Sequence, residues 1–237
     1  MTDDEVLTER DGAILVITLN RPKARNAVNA ALARGLAAAV EDLDGDPELA
    51  VGVLTGAGGS FCSGMDLKAF LQGELPVVEG RGFAGITVTP PEKPVIAAVE
   101  GYALAGGCEI ALACDLIVAA RDAKFGLPET KRSLVAGAGG LFRLPQRIPR
   151  AIAMEYALTG EFFSAEDANT WGLVNRLTDP GEALAGALQL ARKITECGPL
   201  AVRASQQEIM GPVMTSADAR EGARAFAEKR APVWTGK

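Results

Sequence analysis

Seven residues at 13–19, "AILVITL", form a short β-branched run bounded by "DG" before and "NRP" after, a pattern that predicts a strand. Over 29–43 the periodicity changes. Leu32, Leu36, Val40 and Leu43 recur at spacings of three and four, which predicts an amphipathic helix stopped by "DGDP". Apolar runs at 50–56, 93–99 and 116–120 predict three more buried strands. Between the second and third strands, "GAGGSFCSGMDLKAF" predicts a glycine-rich loop leading into a helix near Asp66. From about Arg147 onward the pattern turns helical, with capping boxes at Ser164–Asp167 and Thr215–Asp218. Strands alternating with helices, then a helical last third, predict an α/β body with a helical tail. No internal repeat or linker interrupts it.

The 237 residues suffice for a substantial core, and 48% hydrophobic with 23% charged residues is the balance of a globular protein. The apolar region 95–120 is broken by Glu100, Glu109 and Asp115, so no run of about 18 uncharged apolar residues exists and no membrane partner is expected. The N-terminus is acidic and lacks the basic and apolar parts of a signal peptide, so a cytoplasmic location is expected. A net charge of −6 argues against a nucleic-acid partner. Cys62, Cys108, Cys114 and Cys197 include no C-x-x-C pair and read as reduced packing residues.

Histidine is absent altogether. Catalysis by a Ser-His-Asp or Cys-His arrangement is therefore excluded, and so is a His metal ligand. Acid–base chemistry near neutral pH must fall to carboxylates, Lys, Tyr or Cys.

"GRGFAG" at 80–85 fits the dinucleotide fingerprint in letters only, since no clear strand precedes it; a mobile loop is the better expectation. More informative are two glycine-rich loops that each follow a strand, "GSFCSGMDLK" (59–68) and "GYALAGGCE" (101–109). Glycines let backbone approach a ligand, and the first N–H groups of a helix lack partners, so two such groups converging on one point could hold an oxyanion. Close helix–strand packing explains the same glycines without chemistry. Glu109 falls in the first turn of the second helix, where the dipole favours a carboxylate. Asp115, at the end of that pattern, suits a turn or cap. Glu129, in "AKFGLPET", reads by itself as a solvated loop acid.

Taken together, "ITLNRPKARNAVN" (17–29), "SFCSGMDLKAF" (60–70), "KPVIAAVEGYALAGGCEIALACDLIVAA" (93–120), "AKFGLPETK" (123–131) and "WGLVNRL" (171–177) resemble the crotonase (enoyl-CoA hydratase/isomerase) superfamily, in the right order over nearly the whole chain. The resemblance implies the crotonase fold, a spiral of ββα repeats over 1–180, with a helical C-terminal region at 181–237 for trimerisation and pocket closure. It implies an acyl-CoA thioester substrate, coenzyme A being part of that substrate, no metal and no permanently bound cofactor. Assembly as a homotrimer or dimer of trimers is implied as well.

By motif position, the backbone N–H groups of Met65 and Gly106 would polarise the thioester carbonyl, and Glu109 and Glu129 would grip one water. Lys23, Ala24, Arg25 and Ala27, with Ser63, Gly64, Asp66, Leu67 and Lys68, would hold the CoA. Two retained glutamates favour hydration of a 2-enoyl-CoA over isomerisation. Carnitinyl-CoA dehydratase and enoyl-CoA isomerase are the enzymatic alternatives, and a non-catalytic acyl-CoA binder is the alternative of another class. "GMDLKAFLQGE" and "GRGFAGIT" resemble the carnitinyl-CoA dehydratase branch. One segment departs from the family: "KRSLVAGAGG" (131–140) places Arg132, Ser133 and Ala136 where relatives commonly have Leu, Gly and Pro. The resemblance puts that segment near the acyl end of the site, which sets this chain apart from standard short-chain hydratases.

Overall fold

The computed structural model describes residues 4–207, 213 and 215–236. A hairpin opens the fold. Strands β1 (Val6–Asp11) and β2 (Ile14–Leu19) pair antiparallel around Gly12. β1 escapes a hydrophobic-pattern reading because it is an edge strand, exposed along all but its first residue. Helix α1 (Ala30–Gly45) begins where Asn29 accepts the N–H of Leu32 with its side chain. Its stripe of Leu32, Leu36, Val40 and Leu43 is fully buried, worth roughly 1.5–3 kcal/mol per side chain. The helix stops against Lys93, whose Nζ donates to the Leu43 and Asp46 carbonyls at its C-terminal end.

Strands β3 (Val51–Gly56), β6 (Val95–Val99), β8 (Leu116–Ala120) and β11 (Arg176–Thr178) continue the sheet in parallel, giving the order β1-β2-β3-β6-β8-β11. Between β3 and β6 lie a short helix α2 (Leu67–Leu71) and a two-stranded hairpin, β4 (Val77–Val78) with β5 (Gly82–Phe83). The expected mobile loop at 80–85 is thus a hairpin, formed because Gly80 and Gly82 supply positive φ angles for the turn.

A smaller sheet carries β10 (Phe162–Ser164), β9 (Lys124–Gly126) and β7 (Tyr102–Leu104). Each of its strands has three residues, too few for a period-2 signal to stand out from the helical pattern around it. Helices α3 (Gly106–Ala113), α4 (Gly140–Arg147), α5 (Arg150–Thr159) and α6 (Ala165–Thr170) pack between and beside the sheets. Helix α7 (Ala183–Thr195) covers the other face of the large sheet: Ala183, Ala187 and Ala191, four apart, meet Ile14, Val51, Val53, Ile96 and Val118.

Helices α8 (Pro199–Gln206) and α9 (Ala217–Glu228) complete the described chain. Ser164 caps α6 as the box predicts. At α9 the cap is Ser216 rather than Thr215, and Asp218 turns its carboxylate to the N–H groups of Thr235 and Gly236 in the C-terminal tail. Asp115, expected in a turn or cap, instead brackets distant segments, accepting the N–H of Val95 and the side-chain amide of Gln206. Among the described residues no helix is long and apolar enough to cross a membrane.

Candidate active site

Glu109 and Glu129 are twenty positions apart in sequence, and strand pairing brings them to one place. β7 and β9 are parallel neighbours, with Leu104 opposite Gly126. α3 leaves the carboxyl end of β7, and a 3-10 turn, Pro128–Arg132, leaves the carboxyl end of β9. Both acids therefore stand at the carboxyl ends of adjacent parallel strands, the usual place for a ligand crevice in α/β folds. Both line a cavity of about 440 Å³. Glu129 is half-buried, and its Oε2 has no hydrogen-bond partner among the described residues. The solvated loop acid expected from its local sequence is corrected by this placement.

The environment of Glu109 explains how a carboxyl survives in an apolar helix. It is 4% exposed, and its Oε1 accepts the Gly140 N–H at 2.9 Å from the first turn of α4. Burial pushes its pKa up to about 7, with the charge of Glu129 adding to the rise and the Gly140 bond opposing it. Burial also raises Glu129 above the usual carboxylate range, against the pull of Arg132. Both shifts favour the neutral carboxyl, with burial the chief cause in each.

The two glycine-rich loops do converge. Cys62 bridges to Ala103, with the Cys62 N–H on the Tyr102 carbonyl at 2.8 Å and the Leu104 N–H on the Cys62 carbonyl at 3.0 Å. Glycine is required at the contact. A Cβ on Gly107 would lie 2.2 Å from the Cys62 carbonyl oxygen, and one on Gly64 would lie 3.2 Å from the Gly106 nitrogen. Close packing by itself accounts for these glycines, and it is what brings the two loops into contact. Neither the Met65 nor the Gly106 N–H donates to a backbone carbonyl among the described residues, and both residues line the cavity. Ala105, the residue before α3, has φ 51° and ψ −128°, a strained backbone for a residue with a Cβ.

Of the residues expected at the site, the cavity wall brings together Ser63, Met65, Leu67, Gly106, Glu109 and Glu129. Lys23, Ala24, Arg25, Ala27, Gly64 and Asp66, on the two neighbouring loops, and Lys68, in the first turn of α2, are not in that wall. These loops are tied to each other. The Ser63 N–H donates to the Arg25 carbonyl, the Val28 N–H to the Gly64 carbonyl, and Arg21 pairs with Asp66 at 3.0 Å. Asp66 also caps α2; against its partial burial, Arg21 and the Ala69 and Lys68 N–H groups hold it below its ordinary pKa. The Arg25 guanidinium lies 5.6 Å from the centre of the Tyr102 ring.

Several wall residues were not legible as such. Phe83, from the small hairpin, lies so close to Gly106 that a Cβ there would sit 2.5 Å from its ring. Phe162 comes from β10, and Leu134 and Val135 from the segment after the 3-10 turn. The glycines of "GRGFAG" read as a mobile loop, and nothing in them places Phe83 against Gly106.

A family model described as enoyl-CoA hydratase/isomerase matches residues 9–217. The chain is 43% identical to a carnitinyl-CoA dehydratase of Salmonella typhi, over 96% of this chain and 97% of that one. A crystal structure of an enoyl-CoA hydratase from Mycobacterium tuberculosis H37Rv superposes with a TM-score of 0.97 at 61% identity, covering 99% of this chain and 100% of the other. A carnitinyl-CoA hydratase from Mycobacterium avium superposes at 0.84 with 44% identity, covering 100% of both.

Proposed function

The chain belongs to the enoyl-CoA hydratase/isomerase family, and from that premise we propose that it is an enoyl-CoA hydratase, adding water reversibly across the double bond of a 2-enoyl-CoA. The observation that carries this reading is the pair of glutamates lining one cavity beside the convergent Met65 and Gly106 loops.

In the reaction, the thioester oxygen receives the Met65 and Gly106 N–H groups, which stabilise the negative charge that develops as the enolate forms. A water held between Glu109 and Glu129 attacks Cβ. One carboxylate takes a proton from that water, and a proton is returned to Cα as the enolate collapses. Both groups approach from the same side of the substrate, so addition is syn. Water, two carboxyls and two N–H groups balance the reaction, and the reading calls for neither a metal nor a redox group. Coenzyme A enters as part of the substrate, held by the loops carrying Lys23, Ala24, Arg25 and Ala27 and by Ser63, Gly64, Asp66, Leu67 and Lys68. Run in reverse, the same groups remove a β-hydroxyl, the direction named by the dehydratase relatives.

The reading extends to assembly as a trimer or dimer of trimers, a role for exposed apolar side chains such as Phe142, Leu158 and Phe226. A reducing compartment, the cytoplasm, suits four free cysteines of which three are buried.

Purified protein would be offered crotonyl-CoA, longer 2-enoyl-CoAs, 3-enoyl-CoAs and crotonobetainyl-CoA, with products followed by mass. A gain of one water on 2-enoyl esters, reduced by about 10²–10⁴ in both Glu109→Gln and Glu129→Gln, is the expected result. Undiminished hydration in both variants would overturn the two-glutamate mechanism, and tight ester binding without turnover would replace the enzyme with a binding module.

A further inference from the structure

Three ionisable side chains line the catalytic cavity: Glu109, Glu129 and Arg132. The first two are accounted for by the water they hold. Arg132 is not. It ends the 3-10 turn that carries Glu129, three residues on, and at 3.0 residues per turn the two side chains leave the same face about 6 Å apart along the axis. Its neighbour Lys131 is engaged by Glu161, whereas Arg132 makes no ion pair or hydrogen bond among the described residues. The wall around it is apolar, with Leu134, Val135 and Phe162 nearby in the lining.

Arg132 is exposed, and a solvated surface arginine is the plain explanation for such a residue. What sets it apart is its place in the lining of the cavity that holds Glu129, with no ion pair or hydrogen bond of its own among the described residues, beside a Lys131 whose charge is already paired. We propose that Arg132 selects the acyl group, and that the preferred substrate is a 2-enoyl-CoA whose far end carries a carboxylate. The inference rests on the hydratase reading and narrows its substrate class.

The chemistry follows from the three charges. With Cβ placed at the two glutamates, an acyl chain continuing past Glu129 runs along the face of the turn toward Arg132. A planar guanidinium binds a carboxylate through two parallel N–H···O bonds, a geometry a neutral alkyl end cannot use. A neutral alkyl end gains packing against Leu134 and Val135 but leaves the cation unused. A trimethylammonium end meets a like charge, and the carboxylates in the wall that could balance it are the two committed to water. The turn thus carries catalytic acid and specificity cation on one rigid element, so the position of the anionic end fixes Cβ against Glu129.

The test compares two esters of equal length, 2-hexenedioyl-CoA with a free terminal carboxylate and 2-hexenoyl-CoA, with crotonobetainyl-CoA as the cationic counterpart. For the unmodified protein, kcat/KM is expected to be about tenfold or more higher for the carboxylate-ended ester, with the cationic ester poorest. The ratio between the first two should collapse toward one in Arg132→Gln, invert in Arg132→Glu, and survive in part in Arg132→Lys. Using the ratio cancels any effect of Arg132 on Glu129, since both esters use the same glutamates. A ratio of one or less in the unmodified protein, an unchanged ratio in Arg132→Gln, or preference for crotonobetainyl-CoA would overturn the inference while leaving the hydratase reading intact. If no 2-enoyl ester gains water, crotonyl-CoA and crotonobetainyl-CoA included, the hydratase reading fails instead. Calorimetric affinities for adipoyl-CoA and hexanoyl-CoA then decide the anion preference by themselves: a preference for adipoyl-CoA lost in Arg132→Gln sustains it, and equal affinities end it.

Discussion

The Gly140 N–H donates to Glu109 Oε1 at 2.9 Å, across thirty-one positions of sequence, and so fixes one carboxyl of the pair to the start of α4. The same glycine leaves no room to spare. A Cβ at Gly140 would lie 3.0 Å from both Leu127 methyls and 3.1 Å from the Glu109 oxygen. Gly140→Ala should therefore displace the acid as well as crowd the core. The expected outcome is a stability loss of about 1–3 kcal/mol in denaturant titration. Hydration should slow by roughly 10²-fold, the cost of an ångström-scale misplacement. A variant with normal turnover would show that Glu109 does not depend on this anchor.

Asn26 governs the other side of the site. It is fully buried, with its Oδ1 accepting the Arg21 N–H and its Nδ2 donating to the Ala57 and Ser60 carbonyls. Its φ of 55° adds a backbone requirement that Asn tolerates better than most residues. Asn26→Ala would strand a donor and two acceptors in the interior, each worth about 1–3 kcal/mol. A drop in thermal midpoint is expected, with KM for the CoA ester rising more than kcat falls, because the loops being loosened are those proposed to hold the CoA. A fall confined to kcat would contradict that assignment.

These two residues show where sequence reading reaches and where it stops. The four central strands of the large sheet, β2, β3, β6 and β8, were legible as apolar runs, and α1 because its apolar residues repeat over enough positions to define a period, whereas the edge strands β1 and β11 were not. Glu109 was suspicious by itself, a lone acid after glycines in an apolar stretch. Glu129 was not, since the feature that makes it half-buried is the pairing of two three-residue strands, β7 and β9, which leaves no local trace. The family resemblance joined the two acids; the strand register supplies the physical reason. The Gly140 anchor and the Phe83 wall depend on contacts between distant segments, and no periodicity encodes those.

Ala105 offers a separate test of strain. At φ 51° and ψ −128° a Cβ costs about 1–3 kcal/mol, and glycine would relieve it at an entropic expense of about 0.5–1 kcal/mol. Ala105→Gly is thus expected to raise Tm by a few degrees, about 2–4 °C per kcal/mol for a domain of this size. Turnover should fall several-fold, since a more permissive backbone aims the Gly106 N–H less firmly. Ala105→Val should do the opposite to stability, because the Cβ is already against Gly64. A lower Tm in the glycine variant would mean that this backbone is not strained.

The raised pKa of Glu109 makes a prediction with a definite sign. Its ordinary value is 4.5 and its value in the folded protein is about 7, chiefly through burial. Between those limits the folded state holds a proton that the unfolded state has released. Stability is therefore lost as pH rises through this window, to a full extent of roughly 3 kcal/mol. Below pH 4.5 the acid is neutral in both states and contributes no slope. Glu109→Gln keeps an oxygen for the Gly140 N–H and carries no charge, so the variant should gain stability over the unmodified protein as pH is raised from 4.5 to 8. Chemical denaturation at a series of pH values measures the difference, and parallel curves for the two proteins would show that Glu109 ionises freely. The same proton should appear in the kinetics. If hydration needs one proton on the pair, kcat/KM falls on the alkaline side as Glu109 ionises near pH 7, and on the acid side as Glu129 is neutralised. Because Arg132 lowers the pKa of Glu129, Arg132→Gln should move the acid limb to higher pH.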